Sequence, residues 1–190
     1  MLDWTLSPSV RIAAQTIKQG GVVAYPTEAV WGLGCDPFND HAAFNILFLK
    51  KRAPEKGLIL VASKISQFNF ILNDLPSGYI TTLKKSWPGP NTWIIPNNGT
   101  IPDWISGEHS GVALRVSNHP LVRAICDSYG GPIVSTSANP QGKPAATHQW
   151  QVHRYFHDDR RLDYTTKGTT GGNKTPSTIR DILTGNIIRL

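Results

Sequence analysis

The chain has 190 residues, 39% hydrophobic and 17% charged, which fits one soluble globular domain, 1–190, with room for a sizeable core. No run of about 18 apolar residues occurs, so no membrane span is expected. A net charge of +6 favours anionic partners such as nucleotide, pyrophosphate or RNA, although an excess of this size also serves ordinary solubility.

Met1-Leu2-Asp3-Trp4 lacks a basic region followed by an apolar one and does not read as a signal peptide. Cys35 and Cys126 lie far apart in no CxxC pattern, and no neighbouring histidines suggest zinc. Both read as reduced thiols of a cytoplasmic protein.

Ser7-Pro8 is a helix start, with Val10, Ala13, Ala14 and Ile17 at helical spacing and Gly20-Gly21 as the stop. Val22-Val23-Ala24-Tyr25 reads as a strand. The following Pro26-Thr27-Glu28-Ala29-Val30-Trp31-Gly32-Leu33-Gly34 is too rich in special residues for a plain connection. Pro26 ends the strand, Thr27 offers a hydroxyl at its carboxyl end, and Gly32 and Gly34 permit positive φ or close backbone approach. Asp40 can cap a second, largely apolar helix. It ends in Lys50-Lys51-Arg52-Ala53-Pro54-Glu55-Lys56, four cations in seven residues. They form either a compact anion site or charge that complements the helix dipole.

Gly57-Leu58-Ile59-Leu60-Val61-Ala62 is a near-continuous apolar strand of the kind buried on both faces. Ser63 and Ser77 can each cap a short helix. Trp87-Pro88-Gly89-Pro90 is a rigid turn feeding the strand Trp93-Ile94-Ile95, and Trp104 in the next loop reads as a packing anchor. In the alternating strand Gly111–Val116, Arg115 is the odd member, either a rim salt bridge or a carboxylate binder. A helix from His119-Pro120 ends at Gly130-Gly131.

Pro132-Ile133-Val134 then reads as a buried strand that runs into Ser135-Thr136-Ser137-Ala138-Asn139. In open α/β sheets ligands bind outside the carboxyl ends of strands, and hydroxyls and amides there can hold phosphate or carboxylate oxygens. The plainer reading is an ST-turn and a loop. In extended conformation Ser137 and Asn139 point to one side, with Thr136 and Ala138 on the other. Gln149–Phe156 is helical, and Asp158–Arg161 is a solvated turn. Thr165–Thr175 is polar and glycine-rich, with the composition of a mobile segment. Ser177–Ile182, Thr184-Gly185 and Ile187–Arg189 read as a terminal hairpin. The pattern predicts a single α/β domain with one twisted, mixed sheet and flanking helices. No Walker A motif, GxGxxG or nucleophile–base pair is present. Cations, hydroxyls and glycines at strand ends suit phosphate handling by positioning and charge.

In order, Pro26-Thr27-Glu28-Ala29-Val30-Trp31-Gly32-Leu33-Gly34, Lys50-x-Arg52, Lys56-Gly57-Leu58, Trp87-Pro88-Gly89-Pro90-x-Thr92, Ala113-Leu114-Arg115-Val116, Ser135-Thr136-Ser137-Ala138-Asn139 and Pro176-Ser177-x-Ile179-Arg180-Asp181 resemble the short bacterial YrdC-type threonylcarbamoyl-AMP synthases. The resemblance implies a YrdC/RibB-like α/β fold with a basic central cavity. It implies formation of threonylcarbamoyl-AMP and pyrophosphate from L-threonine, bicarbonate and ATP, with Mg²⁺ carried in on ATP. The product would serve threonylcarbamoyladenosine modification of tRNA beside the anticodon, through a downstream transferase complex. The family's KxR…SxN signature falls on Lys50, Arg52, Ser137 and Asn139, which are the implied catalytic residues. By the same resemblance Arg52, Lys56, Ser135, Ser137, Asn139 and Arg189 line the ATP site. Thr27, Arg115, Ser177 and Thr178 hold threonine, with Arg115 on its carboxylate. No protein metal ligand is implied. The chain departs from the family pattern at Ala53, where proline is usual, at Pro140-Gln141 and at Thr178. The alternative is an RNA-binding or ribosome-maturation module without ATP turnover; no run of interleaved cations and aromatics of the RNA-module kind is visible.

Overall fold

A computed structural model describes residues 4–173 and 175–189; Met1 to Asp3, part of the N-terminal stretch read above, lie outside them. The strands are β1 (Val23–Pro26), β2 (Trp31–Gly34), β3 (Ile59–Ala62), β4 (Asn91–Pro96), β5 (Gly111–Val116), β6 (Ile133–Ser137), β7 (Tyr164–Thr165), β8 (Thr178–Asp181) and β9 (Ile187–Arg189). They form one sheet in the order β7-β1-β2-β6-β3-β5-β4-β8-β9. The pairs β1–β7, β3–β5 and β4–β8 are parallel, and the others are antiparallel. The predicted mixed sheet and terminal hairpin are both present.

The helices are α1 (Pro8–Lys18), α2 (Asp40–Lys50), α3 (Asn69–Leu72), α4 (Ser77–Ser86), α5 (Asp103–Ser106), α6 (Pro120–Tyr129) and α7 (Gln149–Phe156). Strand alternation feeds two cores. Val23 and Tyr25 of β1, Val61 of β3 and Ile133 of β6 pack with α1 and α6. Ala24, Leu60, Ala62 and Val134, their neighbours in sequence, pack with α2, α4 and α7 in the larger core. Trp104 packs against that core and donates from Nε1 to Pro37 O at 3.1 Å. Both cysteines are buried and unpaired.

Several expectations shift in detail. Asn39, not Asp40, caps α2, its side chain accepting from Ala42 N at 2.9 Å. Ser63 does not cap a helix; it is buried and donates from Oγ to Gln67 and Asp127. The special stretch after Tyr25 is a hairpin whose second strand, β2, the glycines conceal in sequence. Gly34 serves close approach and not positive φ: a Cβ there would lie 2.5 Å from Val134 O and 2.7 Å from the Tyr25 ring. The Thr165–Thr175 segment is anchored at several points. Thr166 N donates to Ala24 O, Gly171 N to Thr27 O and Asn173 N to Glu28 O, at 2.9–3.0 Å. Lys174 of that segment lies outside the described residues.

Candidate functional site: a cavity on the sheet face

A cavity of about 230 Å³ opens on the sheet face that α1 and α6 partly cover, beside the core they form with it. Its floor is set by register. Ile59 pairs with Ser135, Val61 with Arg115, and Gly32 with Ser137, so these residues share one face and all line the void. Sequence reasoning placed ligands outside the carboxyl ends of strands. That rule belongs to parallel sheets. Here β6 runs against both β2 and β3, so carboxyl ends do not collect on one edge, and the site occupies the sheet face instead.

Lys50, at the C-terminus of α2, is only 5% exposed. Its Nζ donates to Ser137 O at 2.5 Å, Asn139 O at 3.1 Å, Ser137 Oγ at 3.3 Å and Asn139 Oδ1 at 3.5 Å. Gln141 N donates back to Lys50 O at 2.7 Å. One lysine therefore ties α2 to the 137–141 loop at both its head group and its backbone. Burial first, and then the charge of Arg52, lowers its pKa to about 8.

The four-cation cluster divides at Lys51. This residue takes φ 51°, the one positive φ outside glycine among the described residues, and swings the chain out of the helix. Lys51 and Lys56 are exposed and neither lines the cavity. Arg52 does line it, held by Gly57 O at 3.0 and 3.2 Å and Lys56 O at 3.0 Å. Burial, then the nearby Arg189, lowers the Arg52 pKa. Ala53 keeps φ at −64°, the angle a proline ring would impose, so this departure from the family pattern preserves the local backbone. Arg189 reaches the cavity from the edge strand β9 and donates from Nη2 to Ser177 O at 3.4 Å.

At the other end of the cavity, Arg115 Nη2 donates to Glu28 Oε2 in an ion pair whose side chains are 11% and 12% exposed. Thr27 lines this end, its hydroxyl committed to Val30 O at 2.7 Å within the β1–β2 turn. Ser177 also lines the cavity and shares a 2.8 Å hydrogen bond with Thr92.

The structure thus gathers Thr27, Lys50, Arg52, Arg115, Ser135, Ser137, Ser177 and Arg189 around one void. It leaves Lys56, Asn139 and Thr178 off the lining. Thr178 begins β8 and donates from N to Pro90 O at 3.0 Å. The Ser137–Asn139 alternation fails because β6 ends at Ser137 and Asn139 N folds back onto Ser137 O at 3.0 Å. Asn139 instead braces its loop, donating to Lys143 O at 2.6 Å, and reaches Lys50. Ala138 packs in the larger core as expected, whereas Thr136 borders the cavity. Sequence reasoning missed Glu28, Thr92 and Asn173 as lining residues. Only the position of Glu28 beside Thr27 signalled it.

Comparison with known proteins identifies the family and the fold. Residues 15–190 match the Sua5/YciO/YrdC family model, described as telomere recombination. A threonylcarbamoyl-AMP synthase of Saccharophagus degradans is 56% identical over 189 residues, covering 100% of this chain and 98% of that protein. One from Pseudomonas aeruginosa is 52% identical over 177 residues, covering 93% and 94%. The crystal structure of P. abyssi Sua5 complexed with L-threonine superposes with a TM-score of 0.83 at 30% identity. That match covers 90% of this chain and 50% of the Sua5 chain, so the chain spans half the length of that protein. E. coli YciO, at TM-score 0.82 and 20% identity, shares the fold over 95% of this chain and 87% of its own. With a family match over nearly its whole length, the chain belongs to the Sua5/YciO/YrdC family.

Proposed function

We propose that the cavity forms L-threonylcarbamoyl-AMP and pyrophosphate from L-threonine, bicarbonate and ATP. The carrying observation is that one void holds three cations with no carboxylate partner among the described residues and, apart from them, an arginine pinned by a carboxylate. The names of the relatives support the same reading. Threonine sits by Arg115, its carboxylate on the guanidinium, near Thr27 and Ser177. Its neutral amine and bicarbonate give the carbamate with loss of water. A carbamate oxygen then attacks the α-phosphorus of ATP, and the bond from that phosphorus to the β-bridging oxygen breaks, releasing pyrophosphate. Arg52, Arg189 and the Lys50-ordered Ser137 loop, with Ser135, hold the phosphates and offset the charge that builds on the leaving group. Lys56 and Thr178 lie off the lining, and Asn139 acts through Lys50.

No group of three or more His, Cys, Asp or Glu side chains is gathered among the described residues. A Mg²⁺ ion would therefore be held by the ATP phosphates, as part of the substrate. No helix among the described residues is long and apolar enough to cross a membrane, and the proposed compartment is the cytoplasm. The adenylate is a mixed anhydride, so its consumer is an acyl transfer, proposed to be the tRNA threonylcarbamoyl transferase complex. An RNA-binding module without ATP turnover is not favoured.

Pyrophosphate release tests the reading directly. Release should require threonine, bicarbonate and ATP together and should stop when any one is omitted. Release that continues at the same rate without threonine would overturn it.

A further inference from the structure

The β1–β2 turn carries one carboxylate, Glu28, and it is met by four donors from a distant part of the chain. Oε2 accepts from Arg115 Nη2. Oε1 accepts from Ser117 Oγ at 2.7 Å, Asn118 N at 2.9 Å and His119 N at 3.3 Å. The backbone of the turn is fixed as well, with Asn173 N on Glu28 O at 2.9 Å and Gly171 N on Thr27 O at 3.0 Å. The carboxylate therefore cannot rotate without breaking several contacts at once. Arg115 is different. Of the five N–H donors of a guanidinium, only one on Nη2 has a partner among the described residues, and the side chain lines the cavity.

We infer that Glu28 is a positioning residue: it fixes the plane of the Arg115 guanidinium so that its remaining donors meet the carboxylate of the amino-acid substrate. The inference rests on the reading of Arg115 as the holder of that carboxylate. A planar fork meets a carboxylate through two parallel hydrogen bonds only when its orientation is set beforehand. Glu28 sets it from the rigid turn, and Ser117 and the start of α6 set Glu28. The carboxylate also cancels the charge of Arg115, which turns a point charge attractive to any anion into a directional donor pair. Glu28 is not the base that takes the proton from the threonine ammonium. Burial raises its pKa, but the Arg115 charge, the Ser117 hydroxyl and the backbone N–H groups outweigh it and hold the carboxyl below its ordinary range. Its lone pairs are also largely engaged.

Direct binding of L-threonine and of ATP, measured separately by calorimetry on the full chain, tests this with Glu28→Gln, Arg115→Gln and the double variant. Glu28→Gln should weaken threonine binding about tenfold and leave ATP binding within about twofold. In the Arg115→Gln background the second substitution should add nothing, since the arginine through which it acts is gone. Additive losses in the double variant would overturn the inference by making Glu28 a direct substrate ligand. Unchanged threonine affinity in a folded Glu28→Gln variant, with Arg115→Gln impaired, would overturn the inference and leave the Arg115 reading standing. Unchanged affinity in Arg115→Gln would remove both. Should Glu28→Gln lose its thermal transition, Glu28→Asp carries the test. It keeps the charge but shortens the reach, and should lose threonine affinity by about threefold; parent-like affinity in that variant would overturn the inference.

Discussion

At one end of the cavity three cations, Lys50, Arg52 and Arg189, are held by carbonyl, hydroxyl and amide oxygens that carry no net charge. At the other end Arg115 is held by a carboxylate. The same side-chain class is thus fixed in two electrostatically opposite ways. A carbonyl dipole orients a cation without neutralising it, so its full charge remains for a ligand. A carboxylate partner removes the net charge and leaves only direction. The first arrangement suits a polyphosphate, whose several charges need several uncompensated cations. The second suits a single carboxylate on a zwitterion, and it disfavours phosphate, which would meet the Glu28 charge at close range. The two ends therefore sort their ligands by charge, although all four anchoring residues are Lys or Arg.

The largest expected break in this comparison is Lys50→Met. The substitution removes the cation and strips four acceptor contacts from the 137–139 turn. Leaving a buried acceptor without its donor costs about 1–3 kcal/mol. Turnover with ATP should fall about a hundredfold, and the melting temperature should fall with it. Turnover within about tenfold of the parent, in a protein with the lowered melting temperature, would show that Arg52 and Arg189 suffice for the phosphates.

Arg52→Ala should have a smaller effect. Arg52 lines the void but orders no loop beyond the Lys56-Gly57 turn. One charge-assisted contact is worth about 1.5–3 kcal/mol, so ATP affinity should fall about tenfold or more while threonine affinity stays within about twofold. Calorimetry with each substrate separates the two. Equal losses for both would mean that the ends of the cavity are not electrostatically independent.

Much of the cation end was legible in sequence because it is local. Ser135 and Ser137 stand two apart on a strand, so simple alternation brings that pair to the site, whereas Lys50 and Arg52 stand two apart at a helix end, where the left-handed turn at Lys51 brings Arg52 to the same void. The threonine end was legible only by halves. Arg115 stood out as a cation in an apolar strand, but its partner Glu28 is 87 residues away, and no local pattern links them. Three errors have physical causes. The glycines of β2 mask a strand because strand propensity undervalues positions chosen for close approach. The Thr165–Thr175 segment has the composition of a loose linker, yet backbone hydrogen bonds to residues 24–28 anchor it. Alternation was extended one residue too far at Asn139, where the chain turns.

Acidity probes the cation end in another way. Because the Lys50 pKa is lowered to about 8, the ammonium loses its proton as pH rises past that value. The cation end then falls from three full charges to two. ATP affinity should decline about threefold between roughly pH 7 and 9, with no matching decline for threonine. The effect on stability has the opposite sign. The unfolded chain keeps this proton up to about pH 10.5, so between about 8 and 10.5 it binds more protons than the folded chain, and the contribution of this group to stability rises with pH. Lys50→Met should lack both dependences. A decline in ATP affinity that persists in Lys50→Met would assign the titration to another group.

The smallest effect is expected at Lys56. Its side chain is exposed and off the cavity lining, and only its carbonyl serves the site, by accepting from Arg52. An exposed charge near a binding site acts through solvent and is screened within about 10 Å at 0.1 M salt. Lys56→Ala keeps the backbone carbonyl, so Arg52 should remain in place. ATP affinity should then change by no more than about twofold, and raising the salt concentration should erase even that. The comparison with Arg52→Ala under the same conditions is the informative one. If Lys56→Ala costs as much as Arg52→Ala and the loss survives high salt, the Pro54–Lys56 turn must close onto the nucleotide when it binds. The cation end would then present four uncompensated charges to the polyphosphate, and the contrast with the single neutralised arginine at the threonine end would be sharper still.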